Sequence, residues 1–100
     1  MTKIFEWDFK KNLINKRKHF ISFEEAVTIF ANPIVAKNCN DTSLKEQKNI
    51  SIGRTLNNDI IISCIHSKKE NKIKIISARK ASKQEREIYL NYLNSNINND

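Results

Sequence analysis

One hundred residues are enough for a single small domain and leave no room for a second core or a large substrate cleft. A lone Gly and a lone Pro exclude collagen-like and Gly-rich linker architectures, and with only Gly53 available they also exclude Gly-rich phosphate loops. Eighteen basic against eleven acidic residues give a net charge of +7, a bias toward polyanionic partners, nucleic acid first among them. No apolar run reaches the roughly 18 residues of a membrane span, and residues 1–8 hold no signal-peptide core, so the expected location is the cytoplasm. Cys39 and Cys64 form no CxxC pair and have no ligand-spaced histidine, so neither a zinc site nor any other metal or cofactor is expected. Cys64 reads as a reduced thiol in a core strand.

In chain order, residues 3–7 read as a short strand and Asp8 as the N-cap of a helix over 9–18. Phe9 and Leu13, four apart, are expected to face the core, while Lys10, Lys11, Lys16, Arg17 and Lys18 put five cations and no acid on the same helix. Ser22 and Glu25 make a capping box for a second helix, whose apolar stripe is Phe23, Ala26, Val27 and Phe30. Asn32-Pro33 ends it, Ile34 to Lys37 is a candidate edge strand, and Asn38 to Gln47 is a polar loop.

Three strand-like runs follow, around Ile50–Ile52, Ile60–Ile65 and Lys72–Ile76, separated by the turns Asn57-Asn58-Asp59 and Lys68 to Asn71. Such short turns demand antiparallel pairing. A second capping box, Ser82 and Glu85, opens a last helix that should bury Ile88, Tyr89, Tyr92 and Leu93, with 94–100 as a frayed tail. The expected fold is α+β: an antiparallel sheet of about four strands, two N-terminal helices and one C-terminal helix packed on one face, in a single domain over 1–100.

Several ordered strings together are similar to the BrnT family. They are Phe5-Glu6-Trp7-Asp8, Asn15 to Lys18-His19, and Ser22-Phe23-Glu24-Glu25-Ala26 with Phe30 and Pro33. In the second half, Ile50-Ser51-Ile52-Gly53-Arg54, Ile75-Ile76-Ser77-Ala78-Arg79-Lys80-Ala81, Glu85-Arg86 and Tyr89 continue the likeness, which covers about residues 4–93. The resemblance implies a toxin of a type II toxin–antitoxin pair, a ribonuclease with a RelE-like fold. It implies inhibition by a BrnA-like antitoxin in a hetero-oligomer that binds promoter DNA. Lys48 and Lys74 stand where the family commonly has Arg, which keeps the charge and removes the bidentate fork.

Metal-free RNA scission needs a group on the phosphate, a base for the 2′-hydroxyl and an acid for the departing 5′-oxygen. Arg79 is the candidate phosphate ligand, assisted by Lys48 and Lys74, with His19 as acid/base. Lys11, Lys18, Lys72 and Lys80 are candidate RNA contacts. Against these roles, Arg79 could simply pair with Glu85 or Glu87, and His19 could end a helix at its negative pole. His66 reads as structural, Glu46 as a solvated loop carboxylate rather than a base, and Tyr89 and Tyr92 as core rather than stacking platforms. Strict alternation would put Lys74 and Arg79, five apart, on opposite faces; a break after the apolar pair Ile75-Ile76 would bring them together. The competing functions are a non-catalytic nucleic-acid binder using the bases of helix one and of residues 68–83, and a protein-interaction module.

Overall fold

A computed structural model describes residues 4–39 and 48–97. Its strands are β1 (Ile4–Trp7), β2 (Ile34–Cys39), β3 (Lys48–Arg54), β4 (Ile61–Lys69) and β5 (Lys72–Lys80). The helices are α1 (Phe9–His19), α2 (Phe23–Ala26), which tightens into a 3-10 segment Val27–Ala31, and α3 (Lys83–Ile97). The sheet order is β1-β5-β4-β3-β2, so the α+β class holds with five strands rather than four, and the sheet is mixed. The meander β2-β3-β4-β5 is antiparallel, but β1 pairs parallel with β5, Phe5 opposite Ile73 and Trp7 opposite Ile75. A parallel partner 68 residues away in sequence leaves no local signature. Glu46 and most of the polar loop lie outside the described residues.

Alternation assigns each strand's side chains to one of two sheet faces. The first face packs Ile62, Cys64, Ile73, Ile75 and Ala78 against Ile21, Phe23, Ala26 and Ile29 of the helical segment between β1 and β2. The capping box at its start is formed, with the Ser22 hydroxyl accepting from the Glu25 N–H at 3.0 Å. Cys64 is fully buried there, and burial pushes its thiol up to about 12. Gly53 is the point of closest approach: a Cβ there would lie 2.9 Å from Ile29 Cβ and 2.9 Å from Ile34 Cγ2. Gly53→Ala is expected to lower stability by about 1–3 kcal/mol, read as an earlier urea midpoint, because neither contact can swing aside.

The helices do not share one face. α3 leaves β5 on the opposite side and runs against β3 and β2, burying Tyr89, whose hydroxyl donates to the Pro33 carbonyl at 2.8 Å. Its capping box is reciprocal, with Ser82 N–H to Glu85 Oε1 at 2.8 Å and Glu85 N–H to Ser82 Oγ at 3.2 Å. Ile88 and Tyr92 stay exposed, against expectation, and the helix continues through 94–97, the segment expected to fray. Among its described side chains α3 buries Tyr89 alone, with Leu93 half-buried one turn on.

α1 departs furthest from its apolar pattern. Phe9 and Leu13 are exposed, and the residues it buries are Asn12 and Asn15. β1 ends opposite Ile75, so β5 would continue past it with a bare edge; α1 lies along that edge instead. The Asn15 amide donates to the Ala78 carbonyl at 2.8 Å and accepts from the Ala78 N–H at 3.1 Å, standing in for a neighbouring strand. It also donates to the Ile21 carbonyl at 2.9 Å. Asn12 accepts from the Phe23 N–H and donates to Glu24, both at 2.8 Å, closing the start of α2.

Candidate functional site

β4 and β5 lose register between Ile65, opposite Ser77, and His66, opposite Ile75, so Ile76 is the extra residue of a bulge. The bulge resets the alternation. Before it, Lys72 and Lys74 point away from the core; after it, Ser77 and Arg79 do the same. Lys74 and Arg79 therefore share the sheet face opposite the main core, although they are five apart. Lys48 of β3 belongs to that face too, because Lys48, Ser67 and Lys74 form one row across three strands. At normal strand spacing the α-carbons of Lys48 and Lys74 are about 10 Å apart, and Arg79 lies about 13 Å along the strands. Lys72 is exposed on the same face beside β1, whereas Lys80 alternates to the other side at the end of β5.

Beside Ser77 the face opens into a groove between α1 and β5. Its walls are Lys11, Ile14, Asn15, Lys18 and His19 of α1 with Ile76 and Ser77 of β5. His19 is half-buried, and Lys11 and Lys18 are exposed. Ser77 links the two regions: it lies on the cationic face and donates to Asn15 Oδ1 at 3.3 Å.

The structure thus gathers seven of the eight sequence candidates along one continuous surface. Lys48, Lys72, Lys74 and Arg79 lie on the sheet, and His19, Lys11 and Lys18 line the adjoining groove; only Lys80 lies apart. Among the described residues the only ion pairs are Arg54–Asp59 and Arg79–Glu85. No three His, Cys, Asp or Glu side chains converge among those residues.

Arg79 is paired with a carboxylate and still open to solvent. Its Nη1 and Nη2 donate to the two oxygens of Glu85 at 2.7 and 3.0 Å, and Nη1 also donates to the Lys80 carbonyl at 3.3 Å. Each partner stabilises the other's charge: the guanidinium holds Glu85 down at about 2, and Glu85 raises Arg79. The contact is end-on. The side-on edge, Nε–H with the second Nη2 hydrogen, has no acceptor among the described residues.

The chain matches the family model described as the ribonuclease toxin BrnT of type II toxin–antitoxin systems over residues 7–85. The chain belongs to the BrnT family. No curated protein matches it. This BrnT protein has no helix long and apolar enough to cross a membrane among its described residues. The family match includes α1, all three β5 lysines and Arg79, and ends at Glu85, the carboxylate that grips Arg79.

Asn15 enters the sequence reading only as part of a family string, and its role on the β5 edge is the one that reading does not supply. Its only local signal is a polar residue three after Asn12, on the same side of the helix. His66 is structural, as expected, but it lies inside β4 rather than at its end. It is buried under the Phe30 ring, 5.2 Å between centroids, with Nε2 2.8 Å from Ser51 Oγ and Nδ1 unpartnered among the described residues. Burial disfavours its imidazolium and lowers its pKa. The unfolded chain then takes up the proton first as pH falls below about 6.5, so this stability is complete above that value and declines below it. Urea midpoints at pH 7.5 and 5.5 should differ in the wild type and converge in His66→Gln. Equal midpoints in the wild type would contradict the buried neutral ring.

Proposed function

We propose that this BrnT protein is an endoribonuclease toxin that cleaves mRNA without a metal ion and is held inactive by a BrnA-like antitoxin. The observation that carries the reading is the bulge at Ile76, which puts Lys48, Lys74 and Arg79 on one sheet face beside the α1 groove. In this scheme the open edge of Arg79 takes the scissile phosphate, while Glu85 fixes the guanidinium from its other end. The 2′-hydroxyl attacks phosphorus and the 5′-oxygen leaves, giving a 2′,3′-cyclic phosphate and a 5′-hydroxyl. His19 moves the protons, and Arg79 with Lys48 and Lys74 stabilises the charge that builds on the phosphorane. Lys11, Lys18 and Lys72 track the flanking backbone, with Lys80 at the margin. The 2′-hydroxyl requirement confines cleavage to RNA. The reading also includes action in the cytoplasm and a toxin–antitoxin hetero-oligomer that binds its own promoter DNA.

The test is induction in cells. Expression of the protein alone should arrest growth and deplete mRNA within one doubling, and co-expression of the product of the downstream reading frame should restore both. Normal growth with intact mRNA at high expression would overturn the proposal and favour a non-catalytic nucleic-acid binder.

A further inference from the structure

We propose that the outer flank of α1, built from Phe9, Leu13 and Phe20 with Lys10 and Arg17 beside them, is the docking surface for an acidic amphipathic segment of the antitoxin. The proposal rests on the toxin–antitoxin reading above and adds the surface and the chemistry of its partner. Phe9 is 71% exposed, Leu13 47% and Phe20 81%. Phe9 and Leu13, four apart, lie on one side of the helix, and Phe20 follows it as the C-cap, in the left-handed conformation. Asn12 and Asn15 face the protein, and Lys11 and Lys18 line the groove toward β5, so the apolar flank points away from the proposed RNA surface.

Three large apolar side chains left in water on one helix and its C-cap mark an interaction site rather than scatter. Charge selects the occupant. α1 carries Lys10, Lys11, Lys16, Arg17 and Lys18, with no acid in its first turn, and Lys10 and Arg17 sit three and four residues from Leu13. A second copy of the chain would press like charges together, whereas an acidic helix would pair with Lys10 and Arg17 while covering the three apolar side chains. The helix is also braced for such a load: Asp8 caps its start, and Asn15 ties it to Ala78 and Ile21.

The probe is the purified product of the downstream reading frame, titrated calorimetrically into wild type, Phe9→Glu/Leu13→Glu and Lys10→Glu/Arg17→Glu. All four positions are exposed, and a circular dichroism melt checks folding. Binding should weaken at least 100-fold for the first variant and at least tenfold for the second, with RNA cleavage by the free proteins unchanged. Wild-type affinity in both variants would overturn the docking surface and leave the toxin–antitoxin reading standing. Lost RNA cleavage in either variant would assign the flank to RNA instead. No binding to wild type would remove the partner, and the docking surface with it.

Discussion

Arg79→Ala is expected to lower RNA cleavage by about 10²–10³-fold and to abolish growth arrest. The loss follows from the geometry of its fork. Glu85 engages Nη1 and Nη2 end-on, which leaves the side-on pair of donors without an acceptor among the described residues, on the face shared with Lys48 and Lys74. In the proposed mechanism an alanine removes both donors and the charge that meets the phosphate, whereas Arg79→Lys keeps the charge and loses the paired donors, so it should recover only part of the rate. Folding should hardly respond, because an exposed ion pair contributes under about 1 kcal/mol and the Ser82–Glu85 capping box remains. Single-turnover cleavage of a defined RNA, alongside thermal melts, separates the two effects. A melt unchanged within about 4 °C with cleavage at the wild-type rate would remove Arg79 from the chemistry.

Asn15→Ala should be strongly destabilising. The amide satisfies both the N–H and the carbonyl of Ala78 on the stretch of β5 that β1 does not reach, and it accepts from Ser77 as well. Ala78 is fully buried, so its orphaned backbone groups would have no water to turn to. Two buried unsatisfied groups cost about 3 kcal/mol or more, which for a chain of this size is roughly 12–24 °C in Tm. Asn15→Asp should not rescue it, since a carboxylate accepts but cannot donate to the Ala78 and Ile21 carbonyls. Ser77→Ala, which keeps the Ala78 pairing, should cost far less. If Asn15→Ala melts within a few degrees of wild type, the account of α1 as a substitute strand fails. Because Asn15 also lines the groove with His19, its loss should depress cleavage even below the melting transition.

These two residues show what local sequence can and cannot convey. The capping boxes at Ser22 and Ser82 are legible because donor and acceptor lie three residues apart, and both are formed. The antiparallel pairing of β3, β4 and β5 follows from turn length, down to the tight link in which Glu70 takes a positive φ of 57°. The doubled apolar pair Ile75-Ile76 carries the bulge, so the shared face of Lys74 and Arg79 is visible as a break in alternation. The placement of α1 is not legible. Phe9 and Leu13 match a buried stripe, but the helix is held by polar demands of Ala78, more than 60 residues away. Which residues it buries is decided by a strand edge that exists only once β1 has joined β5. Likewise Arg79–Glu85 is one of two pairings the sequence offers, and only the structure shows that the contact is end-on.

The most direct measurement of the central claim is the product of RNA scission in the presence of excess EDTA. Purified protein, freed of antitoxin, is incubated with a 5′-labelled RNA and with the same RNA carrying a 2′-deoxy substitution at the cut position. Fragments ending in a 2′,3′-cyclic phosphate, absent for the deoxy-substituted RNA and for Arg79→Ala, are the predicted result. Cleavage that stops on chelation, proceeds through the 2′-deoxy position, or survives loss of Arg79 would contradict it.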